Sequence, residues 1–294
     1  MRQEAWHRRG QCGKLVCMAQ LAMTSARWDE LTALLNDEQR LQSEYPKVAE
    51  YLDMATRLPG TGDANTDAAF DLRLVHFMTG GSDVSSNPYW DIVEPFVFEH
   101  EGRRVVNGGR AEGSARLAFA QMVLQATYAY AIPSPQTIEW ISRFCADLPI
   151  VELGAGRGYW AAQLSRSGLV VEAYDVEPPD KTKNTSFPGA TGQADVWHPV
   201  NDLHGFATRA QVADHVLFLC WPPGWGDTMS SEALTSFEES GGRRLIYIGE
   251  SKGGKTGNDA FFDALTARWR LDSVDPHFVS WWTEADVAQG WVRK

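Results

Sequence analysis

The chain has 294 residues, of which 44% are hydrophobic, 22% charged and 11% aromatic, enough apolar mass for one large domain or a domain with a helical extension, and too much for overall disorder. It carries 27 Lys and Arg against 38 Asp and Glu, a formal net charge of −11, the wrong sign for holding nucleic acid by bulk charge, and no run of about 18 apolar residues that a membrane span needs. Its cysteines, Cys12, Cys17, Cys145 and Cys220, form no CxxC pair and no zinc-finger spacing with a histidine, which removes a disulfide framework and a structural metal and makes a reducing, cytoplasmic setting the default.

Residues 1–27 carry Arg2, Arg8, Arg9, Lys14 and Arg27 against Glu4. A targeting peptide is one reading. A disordered tail or over-extended start is preferred, because the apolar residues are scattered and Met18 and Met23 stand just ahead of the first helical pattern. From Trp28 the apolar residues Leu31, Leu34, Leu35, Leu41 and Tyr45 fall near one helical face, and Pro46 breaks or kinks the run. Turn chemistry over 58–65 and a Ser, Asn and Gly loop over 80–87 bracket another helical segment. Ala115, Phe119, Met122, Val123, Ala126 and Tyr130 predict a helix over 114–130. It stops before Ile132-Pro133-Ser134-Pro135, where Ser134 can cap and Pro135 can open a helix over 136–146.

After Pro149 short apolar runs alternate with helical stretches, a βαβ pattern. Strands are predicted over 150–153, 169–174, weakly over 193–196, then over 216–220 and 245–249, with a closing antiparallel pair in the tail over 268–294. The first, fourth and fifth are nearly continuous apolar runs, as buried parallel strands are. No internal repeat or low-complexity tract is present.

The most informative segment is Val151-Glu152-Leu153-Gly154-Ala155-Gly156-Arg157-Gly158-Tyr159-Trp160, at a strand-to-helix turn. Glycines there let the backbone pass close to a ligand, and the helix start offers free N–H groups. The next apolar run ends in Asp175, 19 residues beyond Gly156, where a carboxylate can accept both hydroxyls of a ribose. A dinucleotide site is the best-known alternative for such a loop. It wants its third glycine at position 159, which is Tyr159, and Glu152 ahead of the turn would repel a pyrophosphate but could orient an amino-bearing ligand.

Glu152-Leu153-Gly154-Ala155-Gly156-Arg157-Gly158 followed by Asp175 resembles the class I S-adenosylmethionine-dependent methyltransferases, over roughly residues 133–294. The resemblance implies an α/β Rossmann-like seven-stranded sheet with helices on both faces and an antiparallel last strand. It implies S-adenosylmethionine as cofactor, with Glu152, Gly154, Ala155, Gly156 and Gly158 around its methionine part and Tyr159 and Trp160 also among the cofactor-binding residues. Asp175 would then take the ribose, Asp195 would stand beside the adenine, and Cys220 would line the pocket. Residues 28–132 would form a helical lid and substrate-selecting region, with Tyr128, Tyr130 and the 132–135 turn entering the pocket from above.

Two further segments bear on the acceptor. Trp221-Pro222-Pro223-Gly224 resembles the loop with which amine methyltransferases grip a target nitrogen, but Trp221 replaces the Asp or Asn and Gly224 the aromatic residue, leaving prolines that stiffen the loop and present carbonyls. Trp160, Trp197, Trp221 and Trp225 all follow strand ends, where they would make an aromatic rim suited to a planar or apolar group, or to a cation. Glu250 is the candidate acid or base, with Trp221 beside it, while His198 and His215 are possible bases. Gly249-x-x-x-x-Gly254-Lys255-Thr256 formally matches a phosphate loop, but on the fifth strand instead of the first. The function expected is methyl transfer to an O or N group of a small molecule or peptide, with no membrane partner. Adenine N-methylation of nucleic acid or a non-catalytic binding module are the alternatives.

Overall fold

The structure, a computed structural model, describes residues 21–80, 83–179, 194, 196–203, 206 and 212–294. Helix α1 (Ser25–Asn36) starts three residues ahead of Trp28, because the Thr24 side chain accepts from Arg27 N and caps it. Asp37 ends α1 and caps α2 (Glu38–Glu44) by accepting from Arg40 N at 2.9 Å. Pro46 opens α3 (Pro46–Ala55) at a position where its missing N–H costs nothing. Helices α4 (Ala64–Thr79), α5 (Pro88–Val93) and α6 (Ala115–Thr127) complete an N-terminal layer, capped by Asp63, Asn87 and Ser114. A buried ion pair between Asp71 and Arg116, with the Tyr51 hydroxyl donating to Asp71 at 2.9 Å, ties α3, α4 and α6 together.

Strands β1 (Val97–His100) and β2 (Arg103–Val106) form a hairpin whose two loop residues, Glu101 and Gly102, both have positive φ, as a tight right-twisting turn requires. Helix α7 (Pro135–Cys145) opens on Ser134, whose Oγ accepts from Thr137 N at 3.1 Å.

The chain then runs through β3 (Ile150–Leu153), α8 (Tyr159–Arg166), β4 (Val171–Asp175), β5 (Val200–Asp202), β6 (Val216–Cys220), α9 (Met229–Glu239), β7 (Arg244–Glu250), α10 (Asp259–Arg268), β8 (Trp269–Val274), β9 (Val279–Trp281) and β10 (Asp286–Arg293). Seven of these strands make one sheet in the order β5-β4-β3-β6-β7-β10-β8. β3 to β7 run parallel, and β10 is antiparallel to both its neighbours. This is the α/β Rossmann-like arrangement with an antiparallel last strand that the glycine-loop resemblance implies. The third strand departs from expectation. The strand paired with β4 lies at Val200–Asp202, three residues with two of them exposed, so no apolar run announces it, while the strand expected over 193–196 falls partly outside the described residues.

β9 leaves this sheet and pairs parallel with β2, giving a second sheet in the order β1-β2-β9. Alternation along the central strands sends Ile150, Phe218 and Ile248 into one apolar cluster and Val151, Leu217 and Tyr247 into another on the opposite face. The first cluster continues without a break into Trp28, Leu31, Tyr89 and Leu117. The N-terminal helices therefore cover one face of the sheet. No helix of the described residues is long and apolar enough to cross a membrane.

Candidate active site

Parallel strands end together, so the turns that follow them share one edge of the sheet. Between β3 and α8 that turn holds Gly154, Gly156 and Gly158 at φ +78°, +55° and +74°, conformations cheap only for glycine. Gly154 N and Ala155 N donate to Tyr174 O at 2.9 and 3.0 Å, and Gly156 N donates to Asp175 Oδ2 at 2.8 Å. A Cβ on Gly158 would stand 2.8 Å from His198 O. The turn is thus clamped between β4 and the chain leading into β5.

A cavity of about 890 Å³ opens over this edge. Its lining includes Glu152, Gly154, Ala155, Trp160, Asp175 and Cys220. Glu152 is 2% exposed, and its Oε2 has no hydrogen-bond partner among the described residues. Burial pushes its carboxyl up to about 8, opposed by the Ala161 N–H and assisted by the nearby Asp175 charge. Asp175 is raised by burial too, while the N–H groups of Glu177 and Gly156 oppose the shift by donating to its two oxygens. Burial also pushes the Cys220 thiol up, which makes it an inert lining group. Trp160 Nε1 is buried with no hydrogen-bond partner among the described residues.

The lining also includes Gln125, Tyr130, Trp221, Lys255 and Glu284. Trp221 adopts φ +53°, unusual for so bulky a residue. Three contacts hold it there: its N–H donates to Ile248 O at 2.7 Å, its indole Nε1 donates to Asp286 Oδ2 at 3.0 Å, and its ring stacks on Tyr130 at 5.4 Å and 12°. Burial raises Asp286 to about 6 against the hydrogen bonds from Ser280 and Trp221. Glu284 accepts from Gln121 Nε2 at 2.9 Å and pairs with the Lys255 ammonium.

Several expected site residues lie elsewhere. Glu250 is not among the cavity-lining residues. Its carboxylate accepts from Lys255 N at 2.6 Å and Ala285 N at 3.1 Å, and against the burial that would raise it these donors and the Lys255 charge hold it below the usual range. In the structure this carboxylate ties two loops together. The same bond disposes of the phosphate-loop pattern, because the turn's backbone donor is spent on its own carboxylate and the following helix begins only at Asp259. Tyr159 also turns away from the cavity: its hydroxyl donates to Asn87 Oδ1 at 2.9 Å and accepts from Tyr89 N at 3.1 Å. Trp197 leaves the aromatic rim to pack on Tyr128 and Tyr159. Gly156 and Gly158 shape the turn without lining the cavity, and Asp195 lies outside the described residues. Pro222 O accepts from Gly257 N at 3.0 Å, so this carbonyl closes the loop. His198 Nδ1 bonds Pro199 O, and neither His198 nor His215 lines the cavity. Glu284 and Gln125 have no sequence signal: the first sits in a short turn between strands, the second at the end of an ordinary helix.

No family model matches the chain, and no curated protein matches it closely enough to count as a relative. Among solved structures, the chain is similar to magnesium protoporphyrin IX methyltransferase from Synechocystis PCC 6803 with bound SAM, at 18% identity and TM-score 0.31, over 54% of this chain and 79% of that one. A TehB-like SAM-dependent methyltransferase from Corynebacterium glutamicum matches at 17% identity and TM-score 0.34, over 54% of this chain and 88% of that one. The CcbJ methyltransferase from Streptomyces caelestis matches at 15% and 0.33, over 55% and 91%. The architecture of the chain rests on its own strand order, and its site on its own geometry.

Proposed function

We propose that the chain is an S-adenosylmethionine-dependent methyltransferase acting on an O or N group of a small molecule or peptide. The observation that carries this reading is the pairing of Glu152 and Asp175 at the ends of adjacent parallel strands, on either side of the glycine turn and on one cavity. The residues fit the cofactor. A buried carboxyl with an unpartnered oxygen suits an ammonium group, Asp175 suits ribose hydroxyls, and Leu203, Phe206 and Met229 supply apolar walls for a base. A dinucleotide is disfavoured because the third glycine its fingerprint needs at position 159 is Tyr159, and a pyrophosphate at the glycine turn would lie beside the buried Glu152 carboxyl.

When bound, the cofactor supplies a methyl group on a sulfonium. The chain's own residues then have mainly to position and desolvate an acceptor. Trp221 and Tyr130 form a fixed wall for it, and Glu284, shared with Lys255 and Gln121, offers an orienting carboxylate. Trp221, at the position where adenine-specific loops carry their side-chain acceptor, has no acceptor to offer, and its indole N–H is spent on Asp286. The test is binding of S-adenosylhomocysteine beside NAD and ATP with magnesium. Binding of NAD or ATP with silence from the sulfur ligand would overturn the reading.

A further inference from the structure

We infer that the indole N–H of Trp160 binds the carboxylate at the amino-acid end of the cofactor, and that with Glu152 it forms a two-point subsite for an α-amino acid group. The inference rests on the methyltransferase reading and deepens it, since Glu152 alone accounts only for the ammonium of that end.

Two buried polar atoms carry it. Glu152 Oε2 and Trp160 Nε1 have no hydrogen-bond partner among the described residues, and both residues line the cavity while each is only 2% exposed. A polar group gives up its bonds to water when it is buried, and nearly all such groups find a replacement within the protein. The fold does not need this N–H. Trp160 packs its ring on Phe218 at 5.5 Å, a contact that a phenylalanine ring could also make. An indole donor kept without a partner on a cavity-lining residue is therefore matched to a ligand that supplies the acceptor.

The two atoms also belong to one place. Glu152 stands opposite Phe218 in the parallel register of β3 and β6, so these side chains share a face of the sheet. Trp160 lies on that same Phe218. Helix α8 supplies a second link, because the N–H of Ala161, the residue after Trp160, donates to the Glu152 carboxyl. Strand register and helix start thus bring a carboxyl and an indole together.

Their chemistry is complementary. An indole nitrogen only donates, and a carboxylate only accepts. A ligand that satisfies both presents an acceptor beside a donor, which is what an α-amino acid does with a carboxylate and an ammonium on one carbon. Trp160 is the second residue of α8, so the positive end of that helix adds to the attraction for an anion. Burial favours the protonated Glu152 carboxyl in the empty site, and an ammonium at its unpartnered oxygen draws it to the carboxylate form, the proton leaving to solvent. A trapped water could bridge the same two atoms, and the experiment separates these occupants.

Isothermal titration of the full chain compares three ligands: S-adenosylhomocysteine, its decarboxylated analogue, which keeps the amine, and methylthioadenosine, which lacks the amino-acid end. In the wild type the decarboxylated analogue should bind about tenfold more weakly than S-adenosylhomocysteine. Trp160→Phe keeps a ring on Phe218 and removes the donor. It should weaken S-adenosylhomocysteine about fivefold to tenfold and leave the other two ligands within about twofold. Glu152→Gln should weaken both amine-bearing ligands and spare methylthioadenosine. If Trp160→Phe does not fold, the wild-type comparison decides. Equal binding of S-adenosylhomocysteine and its decarboxylated analogue to the wild type would overturn the inference and leave the methyltransferase reading standing. So would a Trp160→Phe chain that binds S-adenosylhomocysteine unchanged, or that weakens all three ligands alike, as loss of a trapped water would. Binding of none of the three to the wild type would count against the methyltransferase reading itself, and the inference would fall with it.

Discussion

Glu152 concentrates the electrostatics of the site. An ordinary glutamate titrates near 4.5, and burial lifts this one to about 8. Between those values the folded chain keeps a proton that the unfolded chain has shed, so this group's contribution to stability falls as pH rises from about 4.5 to about 8, and is unaffected below. Glu152→Gln should therefore flatten the loss of melting temperature between about pH 5 and about pH 8. A wild type and variant with identical pH profiles would contradict the burial argument. The glycine turn and the two acids were legible in the sequence because their chemistry is local: φ values only glycine adopts cheaply, and carboxylates at strand ends. Glu250 is different. Its place at the end of the fifth strand suggested an active-edge acid, but its carboxylate accepts from Ala285 N, 35 residues on, which no local pattern encodes.

At the scale of elements, Glu250 ties the end of β7 to two loops. Its carboxylate holds Lys255 and Ala285, while Thr256 Oγ1 accepts from Glu250 N at 2.8 Å. Lys255, Thr256 and Glu284 reach the cavity from those loops. Removing the carboxylate leaves two N–H groups without their acceptor, so Glu250→Ala should cost about 2 kcal/mol in denaturant unfolding, and Glu250→Gln less. Loss of activity without loss of stability would return Glu250 to catalysis. The helices were legible where caps and apolar periodicity coincide, as at Ser134 and Pro135. The small sheet was not: β1 and β2 have four residues each, and their third strand, β9, comes more than 170 residues later, a pairing no local pattern encodes. The third strand of the main sheet escaped because it is short and mostly exposed.

At the scale of the whole molecule, the first 132 residues do more than stand over the pocket. They supply Gln125, Tyr128, Ala129 and Tyr130 to the cavity and share one apolar cluster with the sheet. Trp281 Nε1 donates to the Tyr89 hydroxyl at 2.9 Å, and Gln163 Nε2 donates to Ser86 O at 3.0 Å. A chain lacking residues 1–110 would bare the sheet face and strip β9 of its partner. It should fail to melt cooperatively, whereas the full chain should unfold in a single calorimetric transition. A truncated chain with a sharp melt of its own would contradict this and make the helical layer a separable unit.

The central claim is that Glu152 and Asp175 frame one cofactor site. The most direct measurement is isothermal titration of S-adenosylmethionine and S-adenosylhomocysteine, beside NAD and ATP, into the wild-type chain and Asp175→Ala. The account predicts S-adenosylhomocysteine binding to the wild type that is lost or weakened at least tenfold in the variant, a loss of about 1.4 kcal/mol or more. Equal binding to both chains, or binding of NAD or ATP in its place, would contradict it.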